Sequence, residues 1–177
     1  MNAPRFKKLS ISLLELGPRR SLFEHVANAI RTQLERPPFT INLERVVASP
    51  PEAQTIYWLW LFKCEARCNG IEVFVLEPLG VYAPQIHQAL ITVGATELVR
   101  RIEAAVALAR EGPAEFTTLP DRSWFDQFTE SPEFPTLQSV DVGVYPIIRS
   151  LADAVEAFIR THQEALFENA NGNRALK

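Results

Sequence analysis

The sequence feature that most constrains the fold is a dense apolar stretch between Ser49 and Gly112. It opens with Ser49-Pro50-Pro51-Glu52, a helix start signal in which proline is tolerated because its missing amide hydrogen has no helical partner in the first turn. Asn69-Gly70 is typical of a helix end, since glycine accepts the left-handed backbone of a C-cap. The stretch therefore predicts a helix that starts at these prolines and runs to Cys68.

Apolar side chains cover nearly the whole surface of this predicted helix, which indicates a central position in the fold. One face carries Ala53, Ile56, Tyr57, Trp60, Cys64 and Cys68, and the remainder is largely covered by Trp58, Leu59, Leu61 and Phe62. Aromatic residues in such a run could also form a ligand pocket or a dimer face. Core packing is the interpretation that the pattern favours.

The two cysteines of the chain, Cys64 and Cys68, lie one helical turn apart on the same face. That arrangement suits a disulfide poorly, so a reducing compartment is the simpler interpretation. His25, His87 and His162 stand at no spacing that recurs in zinc sites. We therefore expect two structural thiols, no metal site and no cofactor.

Amphipathic helices are predicted on both sides of the central stretch. Ser21-Leu22-Phe23-Glu24 is a capping box that starts a helix from Leu22 to about Arg36, which Pro37-Pro38 ends. The last helix begins at Pro146 and runs to about Glu168. Its apolar stripe consists of Ile148, Leu151, Val155, Phe158, His162 and Leu166, with His162 interpreted as a half-buried core histidine.

A helical hairpin is predicted in the second half of the central stretch. Pro84 opens its first helix, Gly94 closes it, and Thr96 caps the second helix, which continues to Gly112-Pro113. So short a turn makes the two helices antiparallel neighbours.

Two short segments are ambiguous. Residues 39–47 are expected to form a turn or a short helix in which Val46 and Val47 pack and Arg45 faces water. Residues 71–76 have the β-branched content of a strand, but a lone strand is unstable, so a helix is an equal alternative.

Together these elements predict an all-α, single-domain bundle of about six or seven helices with an irregular acidic loop. The domain is expected to span residues 1–168, followed by a flexible tail at 169–177. With 177 residues and 47% apolar content, the chain can bury a sizeable core without staples. No apolar run approaches the ~20 residues of a membrane helix, and no cleavable signal is evident, so we expect a soluble cytoplasmic protein.

The acidity of the chain is concentrated in one segment, Glu111 to Asp141. It holds seven acidic residues and a single basic one, Arg122, although the whole chain carries a net charge of only -3. Such a balance argues against direct nucleic-acid binding. Prolines and aromatic residues in the segment predict an ordered loop anchored by its rings. It is either a solvated face or a protein-binding site, for which the candidate residues are Asp121, Trp124, Asp126, Glu130 and Glu133.

Motifs of known chemistry are missing from the sequence. It has no glycine-rich phosphate loop, no nucleophile elbow, no paired zinc histidines and no calcium loop. Glu65, Glu72 and His87 are isolated ionisable residues, and general acid–base work needs a positioned pair. We therefore predict no catalytic residue.

Four short motifs occur in order along the chain: Asn69-Gly70, the turn around Gly94, an alanine-rich helix, and Asp141 ahead of the last helix. Over about residues 57–167 they resemble the bacterial DNA-mimic-protein family. The resemblance implies an all-helical domain whose characterised type is a dimer that imitates the charge of DNA and binds a helix-turn-helix regulator. Asn69, Gly70, Gly94 and Asp141 are then structural motif residues. The chain departs from the family pattern after Gly70, where it has Ile71-Glu72-Val73-Phe74.

Two functional hypotheses follow. The first is a non-enzymatic, dimeric interaction protein that binds a basic or helix-turn-helix regulator through its acidic segment. The alternative is a small enzyme or ligand-binding domain with a pocket beside the aromatic helix 53–68, between it and residues 71–76.

Overall fold

The computed structural model describes residues 6–15, 21–36, 40–76, 82–111 and 144–168, with the backbone alone for residues 36, 40, 68–69, 71–76, 105–111 and 144–146. The predicted acidic loop and the C-terminal tail lie outside these residues.

The architecture is all-α, as predicted. In chain order the elements are a 3-10 helix (Ile11–Glu15), α1 (Leu22–Leu34), strands β1 (Glu35–Arg36) and β2 (Thr40–Ile41), α2 (Leu43–Val47), α3 (Pro51–Leu76), α4 (Ala83–Thr92), α5 (Thr96–Glu111), α6 (Val144–Thr161) and α7 (Gln163–Leu166). The two strands form a minimal antiparallel pair in which Glu35 lies opposite Ile41.

The chain divides into two compact units. The first comprises Met1–Trp60 and Ala152–Lys177, and the second comprises Leu61–Leu151. The predicted single domain of residues 1–168 stays a prediction.

Helix α1 begins where the capping box predicts. The Ser21 hydroxyl accepts a hydrogen bond from the Glu24 amide, and the buried face carries Leu22, Phe23, Val26, Ala27, Ile30 and Leu34. The helix ends at Leu34 rather than near Arg36. Glu35 and Arg36 turn into an extended conformation because they pair with Thr40 and Ile41.

Residues 39–47 contain a strand and a short helix, and two expectations about them were wrong. Val46 is buried, but Val47 is 71% exposed, because a helix of only five residues presents a narrow face to the core. Arg45 does not face water freely. Its side chain is half-buried and donates from Nη1 to the Gln33 carbonyl at 3.2 Å.

Helix α3 is extensively buried, as its apolar composition predicts. Ala53, Ile56, Tyr57, Leu59 and Phe62 are fully buried. Because α3 begins at Pro51, Ser49 lies one residue before the N-cap position, and its hydroxyl donates to the Val46 carbonyl at 2.6 Å. Residues 71–76 are helical, which settles the choice between strand and helix.

In the second unit, α4 and α5 form the predicted hairpin. Their buried residues are Ile86, Ala89, Leu90, Leu98 and Ile102. Thr96 is the first residue of α5 rather than its cap, and its hydroxyl donates to the Gly94 carbonyl at 3.5 Å.

The last predicted helix starts earlier than Pro146 and is interrupted at His162, which separates α6 from α7 with φ -109° and ψ 32°. The apolar stripe is otherwise confirmed, with Ile148, Leu151, Val155, Phe158 and Leu166 buried. His162 is half-buried and its Nδ1 lies 2.9 Å from the Phe158 carbonyl, as suits a core histidine.

Among the described residues, none of the helices combines the length and apolar character needed to cross a membrane.

Candidate functional site

The predicted partner-binding residues fall in the part of the chain that the structure does not describe. They are Asp121, Trp124, Asp126, Glu130 and Glu133, and the motif residue Asp141 lies there too. Their grouping into one surface therefore stays a prediction. The other motif residues, Asn69, Gly70 and Gly94, lie within described helices and turns.

Gly70 interrupts α3 with a backbone that only glycine adopts readily. Its φ is 86° and its ψ is 170°, a region that is essentially closed to residues with a Cβ atom. The helix resumes on the far side and continues to Leu76. The second residue of the Asn69-Gly70 motif therefore has a conformational role, and it changes the direction of the chain within α3.

Gly94 has the second positive φ, 74°, in the turn between α4 and α5. The Gly94 amide donates to the Ile91 carbonyl at 3.0 Å, and the Ala95 amide donates to the Leu90 carbonyl at 2.9 Å. These two bonds are those of a Schellman motif, in which the residue after the C-cap is left-handed. Gly94 therefore fixes the geometry of the hairpin, as the sequence motif predicts.

Two acidic side chains on the described hairpin, Glu97 and Glu103, lie beside basic ones. His87 Nε2 lies 2.9 Å from a Glu103 carboxylate oxygen, and Arg101 Nε lies 3.1 Å from Glu97. Glu97 is therefore compensated by a positively charged neighbour on the same helix. His87, which the sequence shows as an isolated ionisable residue, is partly exposed.

A polar cluster in the first unit joins the end of α1 to α3. Arg31 Nε lies 3.5 Å from a Glu35 carboxylate oxygen, and the Tyr57 hydroxyl donates to the other oxygen at 3.5 Å. The Arg31 guanidinium also stacks over the Trp60 ring at 4.7 Å. Burial raises the pKa of Glu35 above its ordinary value, and this outweighs the opposing effects of Arg31 and Tyr57.

The sequence contained only part of the information needed to find this cluster. Arg31 and Glu35 have the four-residue spacing of a helical ion pair, so their contact could have been predicted. Tyr57 was assigned to the core without a partner for its hydroxyl. Its contact with Glu35 depends on tertiary packing.

A second polar contact in the same unit joins α1 to α6. One Glu156 carboxylate oxygen accepts from the Ser21 hydroxyl at 3.2 Å and from the Phe23 amide at 3.4 Å. A carboxylate at a helix N-terminus is favoured by the helix dipole and by the unpaired amides. The N-terminus of α1 is therefore also capped by a residue from a distant part of the sequence.

The aromatic run of α3 is a packed core on the side that the structure describes. Tyr57 and Phe62 are fully buried, and the Tyr57 and Trp58 rings contact each other edge to face. The other wall of the alternative pocket, residues 71–76, has a described backbone only. Cys64 is half-buried and outside any disulfide, and the described residues contain no group of three ligand side chains suited to a metal.

The comparisons with known proteins identify one family. The model of the DMP19-like (DNA mimic protein 19-like) proteins matches residues 48–162, well over half of the chain. The match includes α3, α4, α5, the acidic segment and all but the end of the C-terminal helical region. Comparison with curated proteins gave no match, and neither did comparison with solved structures.

Proposed function

Since this chain belongs to the DMP19-like protein family, we propose that it is a non-enzymatic protein-binding module whose partner is a basic, DNA-binding protein. The observation that carries the proposal is the family match itself, which extends across the acidic segment 111–141. The mimicry of DNA charge that gives the family its name supplies the chemistry.

The acidic segment is the part of the chain best suited to bind a basic surface. The whole chain has a net charge of only -3, whereas this segment holds seven acids and one base. Duplex DNA carries a charge every ~1.7 Å along its axis, so a mimic needs closely spaced carboxylates. The segment places successive carboxylates three to eight residues apart in sequence, beside aromatic residues that can anchor a contact.

We assign the contact to Asp121, Asp126, Glu130 and Glu133, with Trp124 as the apolar anchor. A helix-turn-helix regulator fits this surface because the protein face that meets DNA phosphates is basic. A homodimer would place two such segments in one assembly and double the available negative charge. Direct nucleic-acid binding is not part of the proposal.

The test starts with affinity capture at low salt from a native lysate cleared of nucleic acid. Captured proteins are then purified, and their dissociation constants are measured over a range of salt concentrations. We expect the affinity to fall steeply with salt because the contact is electrostatic. Duplex DNA carrying the partner's own binding site should compete with the chain.

Charge reversal tests whether the acidic segment forms the partner-binding surface. We expect Asp126→Lys combined with Glu130→Lys to weaken binding about tenfold or more. The matched control is Asp153→Lys combined with Glu164→Lys, which makes the same change of charge at two exposed residues outside the segment. Equal losses in the two double variants would mean that net charge alone matters. Salt-insensitive binding, or no captured protein, would refute the proposal.

A further inference from the structure

Residues 7–9 form a strap that lies against residues 166–168, at the end of the C-terminal region. The Leu9 amide donates to the Leu166 carbonyl at 2.8 Å, and the Glu168 amide donates to the Leu9 carbonyl at 2.9 Å. This is a parallel bridge between Leu9 and Phe167. Leu9 and Phe167 are both buried, at 5% and 1% exposure.

Gln33 is the second attachment point of the strap. Its side-chain amide donates from Nε2 to the Lys7 carbonyl at 3.0 Å, and its Oε1 accepts from the Lys7 amide at 2.8 Å. A glutamine amide has the same donor and acceptor as a peptide group, so it can pair with both backbone groups of Lys7. The last turn of α1 thus binds the strap as a neighbouring strand would.

Residues 166–168 are available to pair with the strap because the C-terminal helical region is interrupted at His162. After the break, α7 makes a single turn and Phe167 leaves it with an extended backbone, φ -115° and ψ 154°. That conformation lets residues 166–168 pair with Leu9. A third contact, from Lys8 Nζ to the Glu164 carbonyl at 2.6 Å, is exposed to solvent.

The strap has the properties of a unit that opens locally. Leu9 is its only buried side chain between residues 7 and 10, and its other attachments are hydrogen bonds on the surface. Segments with few buried apolar contacts and exposed hydrogen bonds open at a small fraction of the free energy of global unfolding. Leu9 makes both backbone hydrogen bonds to residues 166–168, so both bonds break when Leu9 moves away.

We propose that residues 7–9 form a strap that opens and closes as one unit with residues 166–168, and that Gln33 is the clasp that sets how often it opens. Opening uncovers the apolar pair Leu9 and Phe167 together, so the strap controls when that pair is exposed. Residues 7–9, Gln33 and residues 163–168 all lie outside the range 48–162 that the family model matches. The proposal is independent of the proposed function.

Amide hydrogen exchange on the full-length chain tests the strap. In the unmodified protein, we expect the Leu9 and Glu168 amides to share one opening constant, much larger than that of Ile30 in the core of α1. Different opening constants for Leu9 and Glu168 would overturn the proposal without any variant being made.

Gln33→Ala tests the clasp. Loss of two hydrogen bonds is expected to raise the opening constants of Leu9 and Glu168 about tenfold, and that of Ile30, which exchanges on global unfolding, by no more than the same factor. Thr32→Ala is the control, because Thr32 is exposed and adjacent to Gln33, and its hydroxyl donates to the Ala29 carbonyl within α1. Unchanged strap amides in Gln33→Ala, or an equal rise of the strap amides in Thr32→Ala, would show that Gln33 is not the clasp.

Discussion

The Tyr57 hydroxyl, on the buried face of α3, donates a hydrogen bond to the Glu35 carboxylate just beyond the end of α1. The Glu35 side chain is only 10% exposed, and the nearby Arg31 guanidinium is 3.5 Å away. Removing a carboxylate from water costs free energy that these two long contacts offset in part. The raised pKa of Glu35 is the result.

Glu35→Gln should therefore change the pH dependence of stability. Because the pKa of Glu35 is higher in the folded state than its ordinary value of 4.5, the folded state binds the proton more tightly and the ionised form costs stability. This loss of stability on ionisation of Glu35 is absent below pH 4.5 and reaches its full size above the pKa of Glu35 in the folded state. The stability of the variant relative to the unmodified protein should rise with pH across this window.

Urea unfolding at a series of pH values measures that difference, and the titration of other groups largely cancels in it. Glu164→Gln, at an exposed residue of the same unit, is the control for the loss of one charge. A difference that stays constant, or that falls as the pH rises, would contradict the assignment of burial as the dominant effect on the pKa.

The two positive-φ glycines should respond differently to substitution. Gly70→Ala is expected to cost about 1–3 kcal/mol, because φ 86° with ψ 170° excludes a Cβ atom. Gly94→Ala should cost about 1 kcal/mol, since a Cβ atom there meets nothing within 4 Å and only the left-handed backbone is unfavourable.

Asparagine distinguishes the two positions further. It tolerates the left-handed conformation of a helix C-terminus, so Gly94→Asn should be milder than Gly94→Ala. No such relief is expected at Gly70, whose ψ lies far from the left-handed region. Free energies of unfolding from denaturant titration provide the comparison, and equal relief at both glycines would be inconsistent with their different backbone angles.

The Ser21–Glu156 contact should be measurable as a coupling between α1 and α6. Ser21→Ala is expected to cost about 1 kcal/mol through loss of the N-cap. Combined with Glu156→Gln, it should show a coupling energy of about 0.5–1.5 kcal/mol, since the two side chains share a hydrogen bond. Asp153→Asn, an exposed change on the same helix, should combine additively with Ser21→Ala. Additive behaviour of Ser21 and Glu156 would mean that the contact contributes no stability.

Features set by adjacent residues were predictable from the sequence. The Ser21 cap, the Gly70 break and the Gly94 turn each depend on a few neighbouring residues, and each was found where the local signals predicted. The burial of Ile56, Leu59 and Phe62 follows from a helix that is apolar all round. Structural roles could be predicted for the family-motif residues Gly70 and Gly94 because their conformations also depend on neighbouring residues.

Features set by distant residues were not predictable. Glu156 is 135 residues from Ser21, and no local pattern connects them. The early end of α1 depends on pairing with Thr40 and Ile41, and the exposure of Val47 depends on which side of α2 meets the core. The acidic segment was recognised from charge alone, so its residues were proposed without a surface geometry.

Arg31 should tune the titration of Glu35. Its positive charge lowers the pKa of Glu35 and so opposes the dominant effect of burial. Arg31→Ala should therefore raise the pKa of Glu35 further and move the upper end of the pH window of the stability change to higher pH. It should also cost about 0.5–1 kcal/mol through the lost contact with Trp60. Arg31→Lys keeps the charge and should leave the window nearer its original position. The measurement is carbon-13 NMR of the Glu35 carboxyl across a pH titration, and a pKa that falls in Arg31→Ala would show that Arg31 does not stabilise the ionised form.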